Sequence, residues 1–488
     1  MKEIPYAICV YLNDHERRQV METKYYLAVD IGASSGRHIL AHMEGDRIVI
    51  EEIYRFHNGA VEHDGHKVWE TDRFLRELIA GMKACKDAGK VPVSMGIDTW
   101  GVDYALLDKN DELAAPTYAY RDARTNGMDK AVYEIVPEDK LYDRTGIQRA
   151  IYNTIYQLMA SKKTEPEVLD KAESMLMMPD FLHFLLTGKK CQEYTNATTS
   201  GLVDAKTNDW DYDLIKKLGY PERLFGRLSM PGTVVGGLKE EIKKEVGFDC
   251  RVVLPATHDT GSAVLAVPSE SDEALYLSSG TWSLLGCELK EANCSKEARE
   301  ANFTNEGGYD HRYRFLKNIM GLWMIQTVRD ELKAKGQEHS FAELCDMAED
   351  AEGEVTVDAN DDRFLAPASM IEEIQKAVTE AGGKKPETPG ELARVIYRSL
   401  AVCYDKSIKN LESITGKKYD SLHIVGGGSN ADYLNRLTAE MTGRKVYAGP
   451  GEGSSLGNLG AQMIADGVFS DLYDFRRAVK RSFEVKEY

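Results

Sequence analysis

The sequence predicts an α/β fold built twice along one chain, and three observations point to it. A strand, a Gly/Ser turn and a second strand run through residues 25–40, and the same plan returns at residues 274–286. Apolar runs end on an acid beside a small-residue turn at Asp30, Asp98 and Asp259. Toward the C-terminus, segments with helical period alternate with strand-like runs around a triple glycine at residues 426–428.

The 488 residues have room for two or three domains, each with its own core. We expect an extension outside the fold at residues 1–22, a first domain over 23–250 and a second over 251–488. Apolar residues at 43% and charged residues at 29% mark an ordinary globular chain. No apolar run approaches the roughly 20 residues a membrane helix needs. A formal net charge of −18 argues against nucleic acid or an anionic membrane as partner, since both reward basic surfaces. An anionic small substrate would need a local site of amides, hydroxyls, metal or a few cations. The eight cysteines are dispersed and include no Cys-x-x-Cys, so reduced thiols in a cytoplasmic setting are expected. Residues 1–22 lack the pattern of a signal peptide: Pro5 and Tyr6 interrupt their apolar stretch, and charges follow it.

Taken in order, residues 25–37 carry an apolar run onto Asp30, then Gly32, Ser34, Ser35 and Gly36, then Arg37. The glycines suit a turn, and its amides and hydroxyls suit phosphate oxygens, with Asp30 at the mouth to hold a magnesium ion. An ordinary hairpin has the same composition. The stretch is neither a Walker loop nor a dinucleotide fingerprint. Thr71 is expected to cap a helix whose buried face holds Phe74, Leu75, Leu78, Ile79 and Met82. Residues 93–108 repeat the strand, glycine turn and strand, with Asp98 and Asp103 flanking Trp100 and Gly101. Helical and loop segments fill residues 125–220, and a linker is expected near 246–251. The last third holds a long helix through Leu392, Ile396, Leu400, Cys403, Ile408, Leu411 and Ile414, stopped by Gly416. A strand at residues 422–425, the triple glycine, a helix ending at Gly443 and a strand at 445–448 follow. A strand, glycine loop and helix let a nucleotide approach the backbone.

Each chemical candidate has a plain structural alternative. Asp259 in His258-Asp259-Thr260 is placed to accept a proton from a substrate hydroxyl during phosphate transfer, although taken alone the residues favour a cap for the helix through residues 262–266. Asp98 and Asp103 fit a glycosidase pair or an unremarkable hairpin. Ser279-Gly280-Thr281 fits a phosphate or a plain turn. Tyr152, Tyr156, Trp210 and Trp323 read as core.

In order along the chain, these pieces resemble the FGGY carbohydrate kinases. The likeness runs from about residue 25 to 475. It is carried by the stretches at 29–37, 96–103, 120–127, 193–199, 258–260, 276–283, 302–308, 316–323 and 423–428. It implies two actin-like, RNase H-type domains with the active site in the cleft between them. It also implies ATP-dependent phosphorylation of a small ketose, L-rhamnulose at its 1-hydroxyl, with Mg2+, in L-rhamnose breakdown. Sister kinases acting on fuculose, xylulose or glycerol are the alternative, and an actin-like ATPase without a sugar a more distant one. By position, Ala33, Ser34, Ser35, Gly36 and Arg37 would meet the ATP phosphates, Asp30 the metal, and Thr281, Gln326 and Gly427 the nucleotide from the second domain. Gly101, His258, Asp259, Thr260 and Asn318 would line the sugar site, with Asp259 as proton acceptor. No partner protein is indicated. Gly261 and residues 449–455 depart from the family pattern.

Overall fold

Two sheets share one core plan in the computed structural model, which describes residues 23–272, 274–365 and 367–488. The extension expected at residues 1–22 lies outside the described residues. The first sheet holds β1 (Tyr25–Ile31), β2 (Ser35–Glu44), β3 (Arg47–His57), β4 (Pro92–Thr99), β5 (Val234–Gly237) and β6 (Arg251–Val253), in the order β5-β6-β4-β1-β2-β3. β1, β2 and β3 form an antiparallel meander, and β4 and β6 continue parallel to β1. The second sheet holds β7 (Leu275–Ser279), β8 (Ser283–Leu289), β9 (Thr304–Gly307), β10 (Tyr313–Ile319), β11 (Ser421–Val425), β12 (Lys445–Ala448) and β13 (Lys486–Glu487). Its order is β9-β10-β8-β7-β11-β12-β13. Here β7, β8 and β10 make the meander, and β11 and β12 run parallel to β7. An antiparallel trio whose first strand is followed across the sheet by two parallel strands therefore occurs twice, as the two matching turns led us to expect.

Six helices position the site: α1 (Thr71–Asp87), α2 (Asp259–Leu265), α3 (Trp323–Ala334), α4 (Pro389–Thr415), α5 (Gly453–Ala465) and α6 (Leu472–Ser482). α1 buries Phe74, Leu78, Ile79 and Met82 against the outer face of the first sheet. Its cap position falls on Glu70, so Thr71 opens the helix without capping it. α4 is the long helix expected from its apolar face. Thr388 and Glu391 form a reciprocal capping box at its start, Pro389 follows, and Gly416 ends it in the left-handed region.

α2 and α5 lie between the two sheets. Leu456, Leu459, Ala461 and Met463 of α5 pack on Tyr26, Ala28, Ile39 and Ala41 of the first sheet. Ala263 and Val264 of α2 pack on Tyr276, Leu316 and Val425 of the second. The two helices touch so closely that a Cβ on Gly457 would overlap the carbonyl of Ser262. The expected linker shrinks to the four residues between a helix at Glu240–Val246 and β6. Because β6 pairs with β4, the first sheet reaches past the boundary expected at 250/251.

Candidate active site

Three adjacent parallel strands each lead to an acid. Asp30 and Asp98 stand in register on β1 and β4. The chain leaving β6 stays alongside β4, with Thr99 N donating to Thr257 O at 2.9 Å and Thr99 bridged to His258. Asp259 follows at once, as the first residue of α2. Carboxyl ends of parallel strands, where helices have yet to begin, leave room for a ligand.

These acids repel one another in a buried setting. Burial pushes the Asp30 carboxyl up to about 6, Arg37 opposes the shift, and the charges of Asp259 and Glu452 add to it. Asp98 is raised well above the ordinary carboxylate range, by burial first and then by Asp30. Asp98 Oδ2 accepts from Asn458 Nδ2 at 2.6 Å, while its buried Oδ1 has no hydrogen-bond partner. An orphaned carboxylate oxygen beside a second buried carboxylate is a donor set suited to a hard cation. Among the described residues, no group of three or more His, Cys, Asp or Glu side chains could hold a metal by itself. A cation bound by one or two carboxylates, water and phosphate fits the pair.

The first turn is shorter than its composition indicated. It spans residues 32–34, and Ser35, Gly36 and Arg37 already belong to β2. Neither Gly32 nor Gly36 has a positive φ. Gly36 is required for space, because a Cβ there would overlap the Phe56 ring. The turn is pinned by Asn58, whose amide donates to Ser34 O at 2.9 Å and whose Nδ2 donates to Gly32 O at 2.8 Å. Arg73 in turn donates to Asn58 Oδ1 at 2.7 Å. Arg37 lies 3.5 Å from Asp30 Oδ2, and its Nη1 donates to Glu452 Oε2 at 2.7 Å. Glu452 comes from the late loop at residues 449–455, so this departing segment reaches across to the first turn. Ser455, on α5, donates to Asp30 at 3.4 Å.

The second turn mirrors the first. Gly280 N donates to Trp282 O at 2.9 Å, and the start of α3 closes on it through Leu322 N to Gly280 O at 3.0 Å and Trp323 N to Thr281 O at 3.1 Å. Thr281 Oγ1 donates to Gln326 Oε1 at 3.3 Å, so these two expected nucleotide contacts stand together. The triple glycine abuts the same turn: Gly428 packs so tightly on Ser279 that a Cβ would overlap its side chain. Gly427 is exposed, with open space beside it.

His258 is buried in a polar cluster that sequence reading missed. Its Nδ1 lies 3.1 Å from Arg314 Nη2 and 3.2 Å from Glu306 Oε2, and its Nε2 lies 3.5 Å from Asp259 Oδ1. Burial pushes the Glu306 carboxyl up, but Arg314 and His258 outweigh it and hold it below the ordinary range. Asp259 does not cap α2; that position is His258, and Asp259 Oδ1 accepts from Thr260 N at 2.6 Å and Thr260 Oγ1 at 3.2 Å. Gly101 is buried against Thr199, and Asn318 is half-buried on β10 with its backbone opposite Leu284.

Asp103 cannot serve as half of a glycosidase pair. It accepts from Trp69 Nε1 at 2.7 Å, Trp100 Nε1 at 2.9 Å, Gln157 Nε2 at 2.9 Å and Tyr120 N at 3.1 Å, a full set for a carboxylate. It fixes two indoles whose ring centroids are 4.2 Å apart. Tyr156 and Trp210 are core, as read, whereas Tyr152 and Trp323 are only half-buried. The Arg121 guanidinium sits 5.4 Å over the Trp323 ring, which joins the two units across the opening.

Comparison with known proteins shows the family and the fold. Residues 25–266 match the FGGY family of carbohydrate kinases, N-terminal domain, and residues 275–465 match the C-terminal domain of that family. The chain is 48% identical to the rhamnulokinase of Halalkalibacterium halodurans, across 95% of this chain and 98% of that one. It is 41% identical to the rhamnulokinase of Bacillus subtilis, with 95% of each covered. Among solved structures it is similar to gluconate kinase from Lactobacillus acidophilus (TM-score 0.77, 16% identity, 96% and 94% covered). It is also similar to Plasmodium falciparum glycerol kinase with ADP (TM-score 0.71, 15% identity, 95% and 94% covered). These likenesses show the two-domain fold of sugar kinases.

Proposed function

The chain belongs to the FGGY family of carbohydrate kinases, and from that premise we propose that it transfers the γ-phosphoryl group of ATP to the 1-hydroxyl of L-rhamnulose. The products are L-rhamnulose 1-phosphate and ADP, and the reaction serves L-rhamnose breakdown. The near full-length likeness to proteins named rhamnulokinase carries the choice of sugar.

Phosphoryl transfer asks mainly for positioning and for neutralising charge on the moving group. Asp259 accepts the proton of the sugar hydroxyl, and His258, Thr260, Gly101 and Asn318 hold the sugar. Residues 33–36 and Arg37 take the phosphates, and Thr281, Gln326 and Gly427 hold the nucleotide from the second unit. Asp30 and Asp98 hold Mg2+, which supplies charge neutralisation when bound. The first domain comprises the sheet from β1 to β6, the second the sheet from β7 to β13. Closure of the two around the substrates excludes water, which competes as acceptor. Six cysteines, Cys85, Cys191, Cys250, Cys294, Cys345 and Cys403, are reduced thiols and suit a cytoplasmic setting. No helix among the described residues is long and apolar enough to cross a membrane.

The test is coupled ADP release across L-rhamnulose, L-fuculose, D-xylulose and glycerol. L-Rhamnulose should give the highest kcat/KM. A higher value for another acceptor would overturn the choice of sugar, and ATP hydrolysis indifferent to every sugar would overturn the kinase reading.

A further inference from the structure

One buried carboxylate outside the phosphate and sugar contacts gathers an unusual number of donors. Glu193 is fully buried and precedes the five-residue helix Tyr194–Thr198. Its Oε1 accepts from Thr195 N at 2.8 Å, and its Oε2 from Thr195 Oγ1 at 2.6 Å and Asn196 N at 3.1 Å. A helix cap would need no more than these. The same Oε2 also accepts from Thr257, through N at 3.2 Å and Oγ1 at 2.6 Å. Thr257 lies 64 residues away in sequence and two residues before Asp259.

The neighbours of Glu193 extend the tie to both sides of the sugar site. Thr195 Oγ1 accepts from His258 N at 3.4 Å. Asn196 Nδ2 donates to Trp100 O at 3.2 Å and to Thr257 O at 3.4 Å. Thr199 Oγ1 accepts from Val102 N at 3.0 Å. Val102 is a buried β-branched residue held at φ 70°, a conformation that persists only where its surroundings impose it. Segment 99–102 and segment 257–259 thus hang on one short run, residues 193–199. A buried carboxylate costs free energy that a neutral cap would avoid, and its oxygens are met by hydroxyl and amide donors. Charge-assisted bonds of this kind fix a backbone more firmly than neutral ones.

We propose that Glu193 is a positioning residue for phosphoryl transfer: by drawing Thr257 and residues 195–196 onto one carboxylate, it sets the placement of Asp259 relative to the Gly101 side of the sugar site. The proposal rests on the function given above. Errors in placement of about 1 Å cost as much as about 10²-fold in rate, and a misplaced base slows transfer to sugar more than transfer to water. The nucleotide contacts are not tied to Glu193.

The test uses the full chain with Thr257→Val, which removes one hydroxyl donor and keeps the shape, Thr257→Ser, which restores the donor, and Glu193→Gln. ADP release, sugar phosphate formed per ADP, KM for ATP and melting temperature are read together. Thr257→Val and Glu193→Gln should lose about 10- to 100-fold in kcat, with KM for ATP little changed and less sugar phosphate per ADP, while Thr257→Ser stays near wild type. Wild-type kcat and coupling in folded Thr257→Val, whatever its melting temperature, would overturn the positioning role. Thr257→Val decides the matter if Glu193→Gln does not fold. Failure of the underlying function is separate, because the unsubstituted protein would then show no sugar-dependent ADP release.

Discussion

Replacing Asp259 with Asn removes the proposed proton acceptor while disturbing little else. The side chain is 30% exposed, and its Oδ1 accepts from Thr260 N and Thr260 Oγ1. An amide that keeps its oxygen at that position retains both bonds, so the melting temperature should hold. Loss of the charge also eases Asp30, whose carboxyl is pushed up mainly by burial and in part by Asp259. Affinity for ATP should therefore hold or rise slightly. A positioned general base contributes about 10²–10⁴ in rate, equivalent to about 2.7–5.4 kcal/mol at about 1.36 kcal/mol per tenfold. We expect kcat for L-rhamnulose to fall by that factor, measured by coupled ADP release, with ATP binding by calorimetry unchanged or slightly tighter. Turnover within about tenfold of wild type would refute the assignment of Asp259 as base.

Three further outcomes follow from other parts of the molecule. Burial lowers His183 to about 3, and its Nε2 accepts from Ile97 N at 3.0 Å, a bond only the neutral ring can make. The unfolded chain takes up this proton first, near an ordinary pKa of about 6.5. Stability is thus full above that pH and falls as pH drops toward 3, by up to about 1.4 kcal/mol per pH unit from this residue; denaturant melts of His183→Gln should show a shallower slope. Arg476 is wholly buried, pairs with Glu288 at 2.7 Å and donates to Val264 O and Leu265 O at the end of α2. Arg476→Met strands the Glu288 charge and should cost about 3–5 kcal/mol in urea melts. Glu452→Gln frees Arg37 from a half-exposed ion pair worth about 0.2–1 kcal/mol, so KM for ATP should fall by up to about fivefold while KM for the sugar stays constant.

Much of the fold was legible because local signals agreed with the tertiary answer. The apolar faces of α1 and α4, the stop at Gly416 and the paired polar turns all appear where the residue pattern put them. The site was legible in its backbone pieces and not in its supports. Asp30, Asp98 and Asp259 could be singled out because each ends an apolar run. Asn58, Asn196, Glu306, Arg314 and Asn458 could not, since a lone polar residue in a strand or helix gives no periodic sign of what it will meet. Gly36 misled for a related reason: composition suggested a turn, whereas the need came from Phe56 on a neighbouring strand. The boundary near 250 suffered likewise, because strand pairing assigns β6 to a sheet begun over 200 residues earlier.

The duplicated plan yields two turns with opposite chemistry, and the difference lies in what stands at the strand ends. In the first sheet β1 and β4 bring Asp30 and Asp98 side by side in register. In the second, the matching parallel neighbours are Ser278 on β7 and Val425 on β11. Carboxylates thus gather in one half, while hydroxyls and glycine amides line the other. A chain of net charge −18 repels a polyphosphate at long range. On the proposed function, the strand ends with acids would need a cation and Arg37 before phosphate approaches, whereas the turn of the second sheet would take the nucleotide on hydrogen bonds. α2 and α5 enforce the division: one starts with Asp259, the other brings Ser455 and Asn458 to Asp30 and Asp98, and both point at the acidic half. On the proposed function, the proton acceptor and the metal ligands then meet where β1, β4 and β6 end, and the nucleotide is held from the second sheet.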